Sequence, residues 1–263
     1  MLAIDSDLLR EIAPRFSGAK AARQSAILAS IDGELRGTLA EYDINTPLRI
    51  AHFIAQIAHE SAGFRTTEEF ASGAAYEGRT DLGNTERGDG RRFKGRGLLQ
   101  LTGRANYKTY GDALGVDLIA DPEAAADPPL SLRIACEYWK RRRINPPSDR
   151  DDLIRVTRLV NGGLNGLDDR RRYLGLAKTA LARLAANAVA RASDPAGRPV
   201  LRRGQQNPVV AELQEALAGQ GLDLAVDGDF GPATELAVKV WQRRQGLAVD
   251  GIVGPATWGT LLA

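Results

Sequence analysis

The chain has 263 residues, 43% of them hydrophobic, which is enough for one good-sized core and a second, smaller one. With 35 Lys and Arg against 33 Asp and Glu, the net charge of +2 gives no general pull toward nucleic acid or a membrane surface. The single cysteine, Cys136, excludes an intrachain disulfide, and in IACEYW it reads as a buried structural thiol rather than a nucleophile.

The opening residues, MLAIDSDLLREIAPRF, carry acids where a signal peptide carries basic groups, and they lack its apolar stretch. No run reaches the roughly 18 apolar residues of a membrane span. The expectation is a chain made in the cytoplasm without a signal peptide, not inserted in a membrane, that acts after release. Apolar residues at three- and four-residue spacing predict helices at DLLREIAPRF, QSAILASIDGELRGTLAEY, PLRIAHFIAQIAHES, LSLRIACEYWKRR, RDDLIRVTRLVNGG and DRRRYLGLAKTALARLAANA. Between the third and fourth lies a stretch, 64–129, rich in Gly, Asp, Arg and Thr and without clear periodicity. A segment of that length usually carries function.

In the third helix, about 100° per residue places Ile50, Phe53, Ile54, Ile57 and Ser61 on one face, with Glu60 at its edge and His52 and His59 on another side. A carboxyl half inside an apolar face keeps its proton more readily than one in water, which suits a general acid; the plainer reading is a helix-end acid paired to an arginine. HESAG is not H-E-x-x-H, so the residues do not point to zinc. Gly63 then decides whether a second carboxyl can join Glu60. An unbroken helix carries Glu69 about 13 Å along the axis to the opposite face, whereas a break lets FRTTEEF turn back. Two carboxyls roughly 6.5 to 9.5 Å apart, with room for a water, are the arrangement of inverting glycoside hydrolysis.

The glycines of YEGRTDLGNTERGDGRRFKGRGLLQLTGRANY fit neither G-x-G-x-x-G nor the P-loop, which argues against nucleotide binding. The segment offers Gln100, Thr102, Asn106, Tyr107 and Tyr110 instead, groups that hold a polar ligand such as a sugar. Further on, RASDPAGRPV reads as a linker. Beyond it, VDGDFGPAT at 226–234 and VDGIVGPAT at 249–257 repeat; in each, Asp-Gly makes a turn and Gly-Pro opens a helix. The adjoining helices place Val210, Leu213 and Leu217 on one stripe and Leu236, Val240 and Trp241 on another.

Both DGxxGPxT turns and the closing TWGTLL resemble the three-helix peptidoglycan-binding module of wall hydrolases. AQIAHESAGF, YEGRTDLGNT, GDGRRFKGRGLLQLTGRANY and NGGLNG, in that order, resemble the family 19 glycoside hydrolases, in the branch that holds endolysins as well as chitinases. The resemblance implies a mainly α architecture: a lysozyme-like α+β catalytic domain over 1–188 with a small β-element, a linker at 189–199 and a small three-helix domain at 200–263. It also implies inverting hydrolysis of a β-1,4 bond beside an N-acetylated amino sugar, with no cofactor and no metal. By position Glu60 matches the general acid, Glu69 the general base with Glu77 as the alternative, and Thr102 the hydroxyl that positions the attacking water. Gln100, Asn106, Tyr107 and Asn161 match substrate-binding positions, and Glu68 is expected to pair with an arginine. The expected partner is peptidoglycan, with chitin as the alternative, and the chain is expected to be a monomer. A reading of another class is a wall-binding protein without activity. Arg87, Arg91, Arg92, Lys94, Arg96 and Arg104 form either a loop paired to nearby acids or an attraction for the carboxylates of peptidoglycan stem peptides.

Overall fold

The computed structural model describes residues 4–192 and 198–262, in two compact units, one ending at Leu181 and the other beginning at Ala182. The first opens with α1 (Ser6–Ile12), α2 (Gly18–Glu41) and α3 (Pro47–Glu60). The side chains of Asp5 and Thr46 accept from the amides of Leu8 and Arg49 and so satisfy orphan donors at the starts of α1 and α3, the latter followed by a proline at its first position. Every residue of α3 from Ile50 to Ala58 is buried, so this helix is the axis of the core rather than an amphipathic element. The expected polar side is therefore absent: His52 is wholly buried, its Nε2 2.9 Å from Asp151 Oδ1. Burial pushes the His52 imidazolium down from its ordinary pKa, against the opposing pull of Asp151.

Around α3 come α4 (Asp89–Arg92), α5 (Arg104–Leu114), α6 (Pro128–Arg141), α7 (Asn145–Asp149), α8 (Leu153–Asn161) and α9 (Leu167–Ala192). Phe53 of α3 meets Trp139 of α6 edge-on, with ring centroids 5.2 Å apart, and Cys136 is buried as expected. The helix α5 lies inside the stretch read as lacking periodicity. Its buried face is Tyr107, Tyr110 and Gly111, and neither tyrosine nor glycine registers strongly on an apolar count. The small β-element is present as ladder contacts pairing Glu68 with Arg96 and Arg96 with Leu101. It ties the segment after α3 to the loop before α5.

The second unit has the three expected helices, α10 (Pro208–Gly219), α11 (Pro232–Arg244) and α12 (Pro255–Leu261), each starting on a proline. Its core joins Val210, Leu213 and Leu217 to Phe230, Val238, Trp241, Val253 and Trp258. The stripe on α11 differs from the expected one. Leu236 is 64% exposed, and the buried positions are Thr234, Ala237, Val238, Trp241 and Gln242, so of the expected stripe only Trp241 is fully buried. Each Asp-Gly turn is fastened by a buried glutamine from the preceding helix. Gln214 donates to Asp227 Oδ1, Asp229 O and Thr234 Oγ1 and accepts from the amides of Asp227 and Gly228. Gln242 does the same with Asp250 Oδ1, Ile252 O, Thr257 Oγ1 and the amide of Gly251. Of the expected linker, α9 takes the residues up to Ala192, and 193–197 lie outside the described residues.

Candidate active site

The helix α3 ends at Glu60, and the chain then takes three consecutive left-handed residues, Ala62 (φ 51°), Gly63 (φ 78°) and Phe64 (φ 62°). The break expected at Gly63 is therefore real, and it is locked. Gln24 Nε2 donates to Gly63 O at 2.7 Å, and a Cβ on Gly63 would lie 2.5 Å from Pro14 Cγ. Ser61 seals the turn, donating to Ile57 O at 2.7 Å and accepting from Phe64 N at 2.9 Å. The chain emerges into the β-element, where Gly97 N donates to Thr67 O and Glu69 N to Gly95 O.

Glu60 sits at the C-terminus of α3 with 18% of its side chain exposed. It takes the plainer of the two expected arrangements, a helix-end acid paired to an arginine: Arg170, with no exposed side-chain surface, donates Nη2 to Glu60 Oε1, Nη1 to Gln56 Oε1 and Nε to Asn165 O. Sequence reading missed Arg170, yet a signal existed. It shares the inner stripe of α9 with Tyr173, Leu174 and Ala177, three, four and seven residues on, and an arginine on such a stripe needs a buried partner. The neighbouring His59 is 2.7 Å from Asp169 Oδ2, and Gly166 packs so tightly on its ring that a Cβ there would lie 2.2 Å away.

Glu69 accepts from Tyr76 O–H at 3.0 Å through Oε2, while its buried Oε1 receives no hydrogen bond from the protein. Burial and this carboxylate push the Tyr76 phenol above its ordinary pKa. Gly95 brings Glu69 together with Gln100: a Cβ there would lie 3.3 Å from Glu69 Oε2 and 2.9 Å from Gln100 Oε1. Gln100 holds a left-handed conformation (φ 52°), braced by Nε2 donating to Gly97 O at 3.0 Å. Thr102 donates its hydroxyl to Gln100 O at 2.9 Å, which leaves the hydroxyl oxygen as an acceptor, and Asn106 donates Nδ2 to Thr102 O at 2.7 Å. Glu69, Gln100, Thr102 and Asn106 thus form one polar group around the β-element. Asn161 is exposed at the end of α8.

Two expected site residues do other work. Tyr107 has no exposed surface; its hydroxyl donates to Lys94 O at 2.6 Å and accepts from Arg96, and burial pushes its pKa up to about 12. It supports the floor of the loop rather than meeting a ligand. Glu77 has both oxygens engaged, by the amides of Gly88 at 2.6 Å and Gly90 at 2.9 Å, which hold its carboxyl below the usual range. That makes it a loop clasp and a poor base. Glu68 pairs with Lys94 at 3.0 Å and Arg96 at 3.4 Å. Half of the basic run is paired to acids in this way, since Arg96 also meets Glu123 and Arg104 meets Asp89 and Glu86, while Arg92 donates to Ile119 O.

Residues 37–158 match the family described as "Chitinase class I", and residues 206–261 match the "Putative peptidoglycan binding domain". A glycosyl hydrolase family 19 domain-containing protein of Haemophilus influenzae is 32% identical over 152 residues, covering 46% of this chain and 74% of that protein. The chain belongs to glycosyl hydrolase family 19. Family 19 relatives in plants include acidic endochitinase Q of Nicotiana tabacum, 29% identical over 163 residues, of which the chain spans 62%. The fold is that of chitinase C from Streptomyces griseus (TM-score 0.52, 20% identity, 69% of this chain and 77% of that one) and of the family 19, class IV chitinase from Zea mays (TM-score 0.51, 20% identity, 69% and 92%). This family 19 chain is a glycoside hydrolase with a peptidoglycan-binding module at its C-terminal end.

Proposed function

We propose that this glycoside hydrolase is a muramidase-type endolysin that cleaves the β-1,4 bonds of peptidoglycan with inversion. The observation that carries the reading is the union in one chain of a family 19 domain and a peptidoglycan-binding module. In this reading residues 1–188 cut the glycan, 189–199 link, and 200–263 retain the enzyme on the wall. The protein works as a monomer once released to the wall.

Glu60 is the general acid. Because its Oε1 accepts from Arg170, the transferable proton rides on Oε2 and passes to the departing glycosidic oxygen. Glu69 is the general base: it accepts from the Tyr76 hydroxyl through Oε2, which steadies the carboxylate, and takes the proton of the attacking water. Thr102, its own proton committed to Gln100 O, accepts the water's second hydrogen. Water adds to the anomeric carbon as the glycosidic bond breaks, leaving Glu60 ionised and Glu69 protonated until solvent exchange resets them. Gln100, Asn106 and Asn161 hold the sugars. Both proton transfers use carboxyl groups, so the mechanism requires no cofactor.

The second reading is a chitinase with the same chemistry, favoured by the names of the plant relatives, several of them endochitinases. Mass spectrometry of fragments from purified peptidoglycan and from chitin decides. New reducing-end N-acetylmuramic acid is the expected product; products from chitin alone refute the muramidase reading, and none from either supports a binding protein without activity.

A further inference from the structure

Lys94, Arg96 and Arg104 of the basic run are paired to acids, and a different set of cations is gathered around a cavity without acids. Lys20 and Arg23 of α2, with Arg65 and Phe70 from the segment after α3, line one cavity of about 310 Å³. No acidic side chain lines it, and none of the three cations has an ion-pair partner among the described residues. Arg65 Nε is buried with no acceptor, while its guanidinium lies 5.3 Å from the Phe70 ring centroid and 5.7 Å from that of Phe16. Phe70 itself is 71% exposed, the most exposed large apolar side chain among the described residues.

The electrostatics are one-sided. The first turn of the 24-residue α2 carries no acid, Ser17 makes no side-chain cap, and Lys20 stands at the positive end of the helix dipole, where cations are disfavoured, with Arg23 three residues further along. Three like charges gathered there raise one another's energy, and a bound anion lowers it. We propose that Lys20, Arg23 and Arg65 bind a carboxylate on the peptide stems of peptidoglycan, with Phe70 covering the aliphatic part of the stem. The inference rests on the glycan-hydrolase reading, since Arg65 and Phe70 belong to the segment that delivers Glu69. It gives this chain a means of telling peptidoglycan from neutral chitin.

The test is calorimetric titration of the full chain with three probes: a soluble muropeptide with free stem carboxylates, the same muropeptide amidated, and its peptide-free disaccharide. Wild type is compared with Lys20→Ala/Arg23→Ala and with Arg23→Glu, exposed positions whose thermal midpoints check the fold. The variants should lose about three- to tenfold in affinity for the carboxylated probe alone, and the wild-type preference should fade at high salt. No wild-type preference for the carboxylated probe, or no loss in the variants, overturns the proposal. So does an equal loss on the disaccharide, which makes the cations a sugar contact. Reducing-end release from peptidoglycan is scored separately, so a carboxylate preference without release sinks the hydrolase reading and leaves the binding site standing.

Discussion

At the scale of single residues, three glutamates that look alike in sequence are sorted by what meets their oxygens. Glu60 faces one buried guanidinium, Glu69 faces one phenol and keeps an oxygen free, and Glu77 has both oxygens tied to backbone amides. Glu60→Gln and Glu69→Gln should each lower the rate of reducing-end release by about 10²- to 10⁴-fold while leaving the circular dichroism unchanged. Glu77→Gln should loosen the loop yet keep the rate per folded molecule; a loss as deep as that of Glu69→Gln would restore Glu77 as the base. In the proposed mechanism, the carboxylate that Glu60 becomes after proton transfer meets a guanidinium already in place, so little reorganisation is needed at that step.

At the scale of elements, the turn after α3 and the loop before α5 build the site. Gly63→Ala adds a methyl group into Pro14 at a backbone angle that L-residues rarely adopt, and should destabilise the catalytic unit by about 1–3 kcal/mol in urea titrations. The loop is pinned by Asp89, 1% exposed, which accepts from Arg104 Nη2 at 2.6 Å and Nε at 2.9 Å and from Glu86 N at 3.0 Å. Those bonds, the Arg104 pair foremost, hold the Asp89 carboxyl below the usual range. Since its folded pKa lies below the unfolded value of about 3.9, the contribution is present above that pH and is lost as pH falls through the folded value. Wild type should therefore lose stability below about pH 4 more steeply than Asp89→Asn. Parallel slopes in acid denaturation would remove Asp89 from this role.

At the scale of the whole molecule, the proposed function assigns cutting and retention to two separate compact units, so damage to one should spare the other. Gln242→Ala strips the second Asp-Gly turn of its donors and leaves the Gly251 amide, which the glutamine oxygen receives, without that partner. The expected outcome is loss of sedimentation with insoluble peptidoglycan alongside unchanged cleavage of soluble muropeptide chains. Equal losses in both assays would show that the module contributes to the chemistry.

Much of the fold was legible in the sequence: most of the helices, the three-helix module and the break at Gly63. Periodicity and turn chemistry are local, and local rules find them. What the sequence could not supply was contact between distant segments. Arg170 lies 110 residues from Glu60, Tyr76 reaches Glu69 through the fold of the loop, and α11 keeps the expected Trp241 in the core but turns Ala237 and Val238 inward in place of Leu236. The same limit hid the assignment of the basic residues, since a charge in a sequence has no partner until the chain closes around it. The sequence by itself determined the strongly periodic helices, their order and the candidate acids; only the tertiary structure decided which oxygens have a partner, because hydrogen bonding is short-ranged and depends on which groups packing brings within about 3 Å.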